Sequence, residues 1–538
     1  MGRYGKVVVA VWLTIELLSG CGAQSNISSD PAVAHTEQGT VRGNMGDGYV
    51  SFLGIPYAAP PVGDLRWKQP APAPVRPQEL AATATPSECV QFAPDSSVAG
   101  SEDCLYLNIY RPSKADAKSL PVLVYIHGGS LTTGQGSNTD GIAFASQNNV
   151  VLVTLNYRLN GFGFFAHPAL SAEAGGSSGA YGLLDQQAAL RWVKANIANF
   201  AGDPSNVTIF GQSSGGVSVV SHVASPSSAG LFAKAAVISG GWYPDTPPLA
   251  PAEARGAADA TSWGCTGDDA TITRCLRALP ASTIVRATYA PLQQEFVPVV
   301  DGKVLTMTVE QALESGHFNS VPYMTGATPD EWALYAAPVL ANAPLTAQNY
   351  DSVTAAYVST IADRPILASD IRNLYPAANF ENPTKAYVAA VGDFKIACQH
   401  LKFADLVAKV QPDVWAYQFA PASVPNYEPG MDPAYFPGPE LPWFGSWGIF
   451  HTSDIQYWFE DFRQQDRTSA NLNLSAVMRQ YLVNFASTGN PNGTSLPNWP
   501  SLRSAPQTVL NFGAPINPSF DARTEHNCSF WENYNLQE

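Results

Sequence analysis

A serine lies between glycines in the run Gly211-Gln212-Ser213-Ser214-Gly215, and this pattern limits the folds that the chain can adopt. Residues 206–210 form a short β-branched run that predicts a strand, and residues 215–224 predict a helix. A serine in so sharp a strand-to-helix turn has a strained backbone, and its hydroxyl projects above the sheet. The positions two before and two after it must be small, as Gly211 and Gly215 are. A Gly/Ser-rich turn without chemistry is the alternative, but the flanking strand and helix favour a nucleophile at Ser213.

The stretch around this turn alternates between strand and helix patterns. Residues 122–126 and 150–155 are continuous apolar runs, typical of strands buried on both faces. Apolar side chains recur at intervals of three, four and seven between residues 182 and 200, which predicts an amphipathic helix. This alternation predicts the α/β class with a mostly parallel sheet. Three further strands and one late helix are predicted at residues 235–239, 321–325, 414–419 and 475–486.

Composition is typical of one or two globular domains, and the layout of the motifs favours one. The chain has 538 residues, 45% of them hydrophobic, and it shows no low-complexity block and no internal repeat. The Pro-rich connections at residues 244–252 and 424–442 are typical of insertions on one sheet, so residues 38–538 are predicted to form a single catalytic domain.

The formal net charge of −15 argues against nucleic-acid binding, which needs a basic face to replace the counterions of the phosphates.

The N-terminus has the pattern of an export signal. Arg3 and Lys6 precede an apolar run over residues 7–18, which is shorter than the ~20 residues that a spanning helix needs. Leu18-Ser19-Gly20-Cys21 resembles a bacterial lipobox, in which Cys21 becomes the lipidated first residue of the mature chain. Plain cleavage near Ala23 is the alternative. We expect residues 1–20 to be a signal peptide, residues 21–37 a polar tether, and the protein to be exported, either released or held at a membrane through Cys21.

Six further cysteines fit an exported protein, because disulfides form in oxidising compartments. Sequence proximity favours the pairs Cys89–Cys104 and Cys265–Cys275, which leaves Cys398–Cys528 as the third. Metal binding is the alternative, but the sequence has neither a Cys-x-x-Cys nor a His-Glu-x-x-His spacing. We therefore expect three disulfides, with no metal and no cofactor.

A serine hydroxyl needs a base to remove its proton, so one of the eight histidines should lie beside Ser213. In proteins with such a turn the acid and the histidine follow the serine, which leaves His222, His317, His400, His451 and His526. His222 lies in the helix of the serine itself, and spacing alone does not separate His400 from His451.

A candidate oxyanion loop lies upstream of the serine. The run His127-Gly128-Gly129-Ser130 directly follows the strand pattern at residues 122–126. It resembles the glycine-rich loop whose backbone amides approach a developing negative charge. His127 precedes the serine in the chain, so we expect it to be a structural residue of this loop and not the base.

These residues belong to a longer series of motifs that resembles the type-B carboxylesterase/lipase family, which includes the cholinesterases. The likeness covers about residues 38–538, and its strongest block is Phe200-Ala201-Gly202-Asp203-Pro204 leading into residues 211–216. The resemblance implies the α/β-hydrolase fold, and hydrolysis of a small-molecule carboxylic ester through an acyl-enzyme. Its other markers are FLGIPYA at residues 52–58, SEDCLYLN at 101–108, NYR at 156–158 and GLLDQQ at 182–187.

The family's motifs also imply the remaining roles. Its acid lies in a Gly-x-x-x-Asp-Glu segment, matched by residues 326–331, so Glu331 is the acid. Its base lies in a Gly-x-x-His segment followed by an acidic residue, which matches residues 448–454 and selects His451 over His400. By the same matching, the oxyanion-hole amides are those of Gly129, Ser130 and Ser214. The three cysteine pairs follow the family's pattern, and two ion pairs match its scaffold, Arg66 with Glu102 and Arg158 with Asp185.

Departures from the family pattern bear on selectivity. Gln212 precedes the nucleophile where cholinesterases have glutamate, and the loop between Cys89 and Cys104 lacks the tryptophan with which cholinesterases bind choline. A cation–π site for a quaternary ammonium group is therefore not expected. Three smaller departures are Ser130 and Ala201 in place of glycines, and Trp332 after Glu331 where glycine is common.

Two alternatives remain within the same family. An interfacial lipase would carry a mobile apolar lid, which the sequence does not reveal clearly. A catalytically silent, neuroligin-like binding protein typically loses a member of the triad, whereas all three are present here. Five aromatic residues are candidates for lining an acyl or alcohol pocket, with ordinary packing as the alternative for each: Trp242, Tyr243, Trp332, Trp443 and Phe444.

Overall fold

The apolar runs of the sequence form the middle of an eleven-stranded sheet in the computed structural model. The structure describes Gly2 and residues 28–93, 95–114, 119–241, 246–288, 296–340, 344–425 and 446–536. Within these ranges the strands, in chain order, are β1 (Val33–Thr36), β2 (Gly39–Arg42), β3 (Asn44–Met45), β4 (Tyr49–Pro56), β5 (Leu80–Ala81), β6 (Gln91–Phe92), β7 (Val98–Ala99), β8 (Tyr106–Pro112), β9 (Leu120–Ile126), β10 (Val151–Leu155), β11 (Gly202–Gln212), β12 (Lys234–Ile238), β13 (Tyr323–Ala327), β14 (Val414–Gln418), β15 (Val509–Asn511) and β16 (Asn517–Phe520).

The helices cover both faces of this sheet. In the same ranges the α-helices are α1 (Ile142–Gln147), α2 (Asn160–Phe164), α3 (Pro168–Glu173), α4 (Tyr181–Asn196), α5 (Ser214–Ala224), α6 (Leu249–Ser262), α7 (Asp269–Ala278), α8 (Ala281–Thr288), α9 (Val309–Glu314), α10 (Ala333–Leu340), α11 (Tyr350–Ala362), α12 (Ala368–Leu374), α13 (Pro383–Gly392), α14 (Cys398–Ala408), α15 (Ile455–Phe459), α16 (Ser469–Thr488), α17 (Ala522–Glu525) and α18 (Cys528–Leu536). A π-helical turn, Asp393–Ala397, joins α13 to α14. Short 3₁₀ turns lie at Gly63–Leu65, Ile197–Phe200, Pro226–Ser228, Ala377–Asn379 and Gln464–Asp466.

The large sheet runs in the order β16-β15-β14-β13-β12-β11-β9-β10-β8-β4-β3. All neighbouring pairs from β10 to β15 are parallel, and the pairs at both edges are antiparallel. Side chains alternate along the inner strand β9: Val122 and Val124 pack into one buried cluster, whereas Leu123 and Tyr125 pack into another on the opposite face. The predicted mostly parallel sheet, buried on both faces, is confirmed.

The predicted elements are present with shifted ends. The strand predicted at residues 206–210 is the middle of β11, and the helix predicted at residues 475–486 is the middle of α16. The helix predicted over residues 182–200 ends as α4 at Asn196 and continues as a 3₁₀ turn. Ala201 closes that turn with a left-handed φ of 67°.

The N-terminal boundary of the folded chain lies earlier than predicted. The strand Val33–Thr36 pairs with Gly39–Arg42 through a tight turn, and Val33 and Ala34 are buried. The end of the predicted tether, residues 21–37, is therefore part of the fold, and the domain begins before residue 38. A four-residue strand is too short to show a period in the sequence, so its polar surroundings hid it. Residues 1–20, Gly2 apart, and Cys21 lie outside the described residues.

One Pro-rich connection is partly helical. Residues 249–252, predicted as connection, begin α6, which follows Pro248 and has Pro251 in its first turn. A proline is tolerated there, because the first amides of a helix have no partner within the helix. Most of the other Pro-rich connection, residues 424–442, lies outside the described residues.

Three disulfides and two ion pairs link separate segments of the chain. The structure forms the three expected disulfides, Cys89–Cys104, Cys265–Cys275 and Cys398–Cys528. It also forms the two ion pairs that the resemblance implies. Arg158 binds Asp185 through two hydrogen bonds of 2.7 Å, and Arg66 Nη2 lies 2.5 Å from Glu102 Oε1. In the part of the chain described, no helix combines the length and the apolar character needed to cross a membrane.

Candidate active site

Ser213 occupies a strained turn between β11 and α5. Its φ of 57° and ψ of −128° lie outside the regions that residues other than glycine normally adopt. The Ser213 amide donates a hydrogen bond to Ile238 O at the end of β12, 2.9 Å away. A Cβ atom on Gly215 would overlap the carbonyl oxygen of Ile126, and one on Gly211 would lie 2.5 Å from the Gly215 backbone. The requirement for small residues on both sides of the serine follows from this close approach.

Glu331 and His451 meet at the same edge of the sheet. Glu331 lies four residues beyond β13, and His451 lies in the loop before α15; both are buried. Glu331 Oε2 forms a short hydrogen bond with His451 Nδ1. The other carboxylate oxygen, Oε1, accepts hydrogen bonds of 2.7 Å from Ser239 Oγ and from the Thr328 amide. The carboxylate is thereby held in one orientation toward the imidazole.

The other ring nitrogen of His451 faces the serine turn. His451 Nε2 lies 3.3 Å from Nε2 of Gln212, the residue before Ser213. The ring of Tyr335, in the first turns of α10, lies 5.4 Å from the imidazole. The structure therefore brings the predicted acid, the predicted base and the serine turn together, although Glu331 and His451 are 120 residues apart in the chain.

The other candidate histidines have different environments. Burial lowers the pKa of His400 and that of His222 to about 3, so both rings are neutral. His400 Nδ1 lies 3.5 Å from Thr325 Oγ1. Both nitrogens of His222 have partners within the scaffold, Ser228 Oγ at 2.9 Å and Gln186 Oε1 at 2.8 Å. Of the two histidines that spacing left open, His451 is the one beside Glu331.

A loop of left-handed residues lies over the serine turn. Gly129, Ser130 and Leu131 have φ values of 104°, 56° and 60° in succession. The Leu131 amide donates to Ser214 Oγ, 3.0 Å away, which ties this loop to the first residue of α5. A Cβ atom on the preceding Gly128 would lie 3.0 Å from Ser213 Cβ. The three residues whose amides are candidates for an oxyanion hole, Gly129, Ser130 and Ser214, are therefore close to the serine.

His127 anchors the start of this loop to Tyr157. Its ring stacks on Tyr157 with 4.4 Å between centroids, and the Tyr157 hydroxyl donates to His127 O, 2.8 Å away. Burial lowers the pKa of His127 to about 4, so the ring is neutral. These contacts fit the structural role expected of it.

Asp330 joins the loop that carries His451 to the strand that precedes Glu331. Its carboxylate oxygen Oδ2 accepts from the Ile449 amide at 2.8 Å, and its own amide donates to Ile449 O at 3.2 Å. A Cβ atom on Gly448, whose φ is 65°, would overlap the Asp330 carboxylate. The glycine three residues before the histidine is therefore required by this contact.

Several residues of the site were not assigned by sequence reasoning. Ser239 directly follows β12, has a φ of 48°, and holds Glu331 through its hydroxyl. The only local signal for it in the sequence is a polar residue at the last position of a predicted strand. Asp454 is buried three residues after His451, and its Oδ2 accepts from Tyr417 Oη at 3.3 Å and from Trp458 Nε1 at 3.2 Å. Burial and the neighbouring charge of Glu331 raise the pKa of Asp454 to about 7.

Of the five aromatic residues considered for a pocket, the structure describes Trp332. It is buried, and its ring lies 4.8 Å from that of Tyr335. The remaining four, Trp242, Tyr243, Trp443 and Phe444, lie outside the described residues. Among the described residues, no cluster of three or more histidine, cysteine and acidic side chains is arranged to hold a metal ion.

The parallel sheet and the serine turn at the carboxyl end of β11 define the class, which is the α/β-hydrolases. Among solved structures, the chain is similar to PNB esterase, with a TM-score of 0.73 and 30% sequence identity over 90% of this chain and 96% of that one. It is 33% identical to carboxylesterase 1D of Rattus norvegicus, over 98% of this chain and 97% of the relative. It is 32% identical to para-nitrobenzyl esterase of Bacillus subtilis, over 92% and 97% of the two chains.

The carboxylesterase family model matches residues 30–531. The chain belongs to the carboxylesterase family, as the sequence motifs predicted. It is a serine carboxylesterase, a carboxylic ester hydrolase that acts on small-molecule esters. The relatives do not favour the two alternatives, an interfacial lipase or a catalytically silent binding protein.

Proposed function

We propose that Ser213 is the nucleophile of this esterase, that His451 is its general base and acid, and that Glu331 orients the histidine. The observation that carries this assignment is the position of the imidazole. Its Nδ1 is bound to Glu331, and its Nε2 is directed at the turn that contains Ser213. An imidazole whose Nδ1 proton is held by a carboxylate has its Nε2 lone pair available for the proton of a serine hydroxyl.

The reaction then proceeds in two halves. Ser213 Oγ attacks the ester carbonyl carbon while His451 Nε2 takes its proton, and the same proton passes to the departing alcohol as the acyl-enzyme forms. A water molecule repeats the attack on the acyl-enzyme with His451 as base, which releases the acid and restores the serine. The hydrogen bonds from Ser239 and Thr328 hold Glu331 beside the imidazolium that forms in both halves.

The negative charge that develops on the carbonyl oxygen would be stabilised by the amides of Gly129, Ser130 and Ser214. The Ser214 amide is the first of α5, where helix amides lack partners within the helix and the dipole favours an anion. The left-handed backbone at Gly129 and Ser130 supports the same assignment. A serine in this conformation costs roughly 1–2 kcal/mol relative to glycine, a strain that functional loops commonly retain.

Replacing the nucleophile is the direct test. Ser213→Ala should fold normally and lose about 10³-fold or more in kcat toward 4-nitrophenyl acetate, because no acyl-enzyme can form. An organophosphate should label Ser213 alone in the wild-type protein, as mapped by peptide mass spectrometry. Full activity in purified Ser213→Ala, or labelling at another serine, would contradict the assignment of Ser213 as the nucleophile.

We further propose that the enzyme has no special affinity for choline esters. Gln212 presents a neutral amide to His451 Nε2 where a carboxylate would attract a cation. The described part of the loop between Cys89 and Cys104 contains no tryptophan, and the residue it leaves out is Pro94. Acetylcholine and its neutral isostere 3,3-dimethylbutyl acetate should therefore have kcat/KM values within about tenfold of each other. A hundredfold preference for acetylcholine would require a cation site elsewhere in the protein.

For the location of the enzyme, we propose export with lipidation. The three disulfides support an oxidising compartment. In a bacterium that processes lipoproteins, the mature chain should begin at Cys21 with a diacylglycerol group, and Cys21→Ala should release it from membranes. N-terminal mass analysis that finds a mature chain starting at Gln24, in a protein recovered without membranes, would instead support plain secretion.

A further inference from the structure

The side chain of Gln212 is buried directly beside the proposed catalytic residues. It lies at the end of β11, next to Ser213 in the chain, and is only 3% exposed. Its Nε2 lies 3.3 Å from His451 Nε2, the atom that passes a proton to the departing alcohol in the proposed reaction. A Cβ atom on Gly128 would lie 3.1 Å from Gln212 Oε1. The amide of Gln212 is therefore close both to the imidazole and to the loop of the proposed oxyanion hole.

This amide has more hydrogen-bonding groups than the folded chain uses. A glutamine side chain has two N–H donors and a carbonyl oxygen that accepts. Within the described ranges, the only hydrogen-bond partner of the Gln212 amide is the imidazole of His451. Gln186, also buried, has partners at both ends, because its Nε2 donates to Ser218 Oγ and its Oε1 lies 2.8 Å from His222 Nε2. Buried polar groups are normally paired, so the unused groups of Gln212 indicate contact with a substrate.

The contact between the amide and the imidazole changes during the proposed reaction. When His451 Nε2 takes the proton of Ser213, it becomes a donor, and Gln212 Nε2 can no longer donate to it. The distance of 3.3 Å is long for a hydrogen bond, so little stability is lost. The N–H group is then released while the departing alcohol approaches the same ring nitrogen. A hydrogen bond that forms at this stage stabilises the transition state and raises kcat/KM.

We propose that Gln212 recognises a polar oxygen on the alcohol part of the substrate, so that the enzyme prefers esters whose alcohol carries a hydroxyl or ether oxygen on its second carbon, as glycol and polyol esters do. This inference rests on the proposed function of Ser213 and His451. The departing alcohol oxygen must come within about 3 Å of His451 Nε2 to receive its proton. Gln212 Nε2 lies at a similar distance from the same atom, so an oxygen on the second carbon of a bent alcohol chain reaches the amide.

The two kinds of oxygen use the amide of Gln212 differently. An ether oxygen only accepts, so it would bind an N–H group of the amide. A hydroxyl group would accept from that N–H group and also donate to Oε1. An alkyl chain of the same size does neither and leaves the buried amide without a partner, which is costly. Both polar alcohols should therefore be preferred over their alkyl counterparts.

The test uses butyrate esters in two pairs whose alcohols have equal numbers of heavy atoms. 2-Hydroxyethyl butyrate is compared with propyl butyrate, and 2-methoxyethyl butyrate is compared with butyl butyrate. Each ratio of kcat/KM values is divided by the ratio of the hydroxide-catalysed rates of the same two esters, which removes the difference between the leaving groups. In wild-type enzyme both corrected ratios should favour the polar alcohol by about tenfold.

Two variants of Gln212 separate its donors from its acceptor. Gln212→Met keeps the size of the side chain and removes both kinds of group, so both corrected ratios should fall to within about twofold of one. Gln212→Glu keeps an acceptor and loses the donors, so it should retain the preference for the hydroxyl ester and lose that for the ether ester. A purely structural role of Gln212 would not separate the two pairs of esters in this way.

A control places the hydroxyl group on the acyl side of the ester. Propyl 3-hydroxybutyrate and propyl 3-methylbutyrate differ there, and Gln212→Met should leave the ratio of their kcat/KM values within about twofold of wild type. Corrected wild-type ratios near one, or equal losses toward all esters in Gln212→Met, would overturn the inference about Gln212. Should Ser213→Ala hydrolyse propyl butyrate normally, the proposed function itself would be wrong, so the two failures are distinguishable.

Discussion

Two buried histidine–carboxylate pairs in this protein look alike but differ in what the second ring nitrogen of the imidazole contacts. His451 is bound to Glu331 beside the serine turn, and His526 Nδ1 lies 2.5 Å from Asp393 Oδ1 near the end of the chain. All four side chains are buried. In the second pair, His526 Nε2 lies 2.9 Å from Gln418 Oε1, so both ring nitrogens have hydrogen-bond acceptors in the scaffold. Acceptors at both ring nitrogens favour the protonated ring, in which both nitrogens donate.

Further hydrogen bonds connect the second pair to its surroundings. Tyr375 Oη donates to Asp393 Oδ2 at 2.8 Å, and Trp531 Nε1 donates to Tyr375 Oη at 2.7 Å. Through these bonds the pair joins the helical run of the π-helical turn to α18 at the C-terminus. A buried histidine with a carboxylate is therefore not by itself a mark of catalysis. What separates the two pairs is the direction of the second ring nitrogen, toward the serine turn in one and toward Gln418 in the other.

Removing each imidazole in turn is expected to have the largest effect. His451→Ala should lower kcat toward 4-nitrophenyl acetate by about 10³-fold or more, because no other group takes the serine proton. His526→Ala should keep most of its turnover per folded molecule, measured by active-site titration with an organophosphate. Comparable losses of kcat in both variants would mean that the second pair also acts in the reaction.

The second expected effect is on stability. His526→Ala leaves the Asp393 carboxylate buried without its cation, and breaking such a pair costs about 3 kcal/mol or more. Thermal unfolding followed by circular dichroism should therefore show a clearly lower Tm for His526→Ala than for His451→Ala. Equal Tm values for the two variants would show that the second pair contributes nothing particular to the fold.

A smaller effect is expected at the pair formed by His451 and Glu331. Ser239→Ala removes one hydrogen bond to Glu331 Oε1 and leaves that of the Thr328 amide, 2.7 Å away. Loss of a hydrogen bond to a charged group should lower kcat by roughly tenfold, with KM little changed. Ser239→Thr, which restores the hydroxyl, should recover part of the rate; failure to do so would point to packing as the cause.

The smallest expected effect is a pH dependence of stability from the second pair. Burial alone would lower the pKa of His526, but the charge of Asp393 and the hydrogen bond to it raise it. Burial raises the pKa of Asp393. A raised histidine pKa contributes stability that is complete below its unfolded value of about 6.5 and is lost as the pH rises through the folded value.

As the pH rises above about 6.5, wild-type protein should accordingly lose about 1.4 kcal/mol of stability for each unit by which folding raises the pKa of His526. His526→Gln, whose amide does not titrate, should show a flatter dependence over the same range. Thermal unfolding at a series of pH values measures both. Parallel curves for the two proteins would assign the pH dependence to other groups, such as Asp454.

The sequence allowed prediction of those features that are local in the chain. The serine turn, its glycines and the central strands are contiguous patterns. Each is determined by the physical chemistry of six or eight neighbouring residues. His451 and Glu331 are separated by 120 residues, so spacing left His400 open and only the family resemblance selected the pair. Local pattern does not encode a contact at that distance.

The residues that sequence reasoning missed are those whose role exists only after folding. Ser239 meets Glu331 across 92 residues of the chain. The strand Val33–Thr36 was predicted to be part of the tether because its composition does not indicate a strand. It is a strand because it pairs with Gly39–Arg42. In each case the signal lies in a contact between distant segments.

The disulfide between Cys398 and Cys528 has a consequence for the durability of the enzyme. The two cysteines are 130 residues apart, and the loop they close contains His451. Ser213 and Glu331 lie before that loop. A protease that cuts the chain once, anywhere between Cys398 and Cys528, therefore leaves both fragments covalently joined, with the histidine still attached to the piece that carries the serine. An enzyme working among extracellular proteases would survive such a nick as a single molecule.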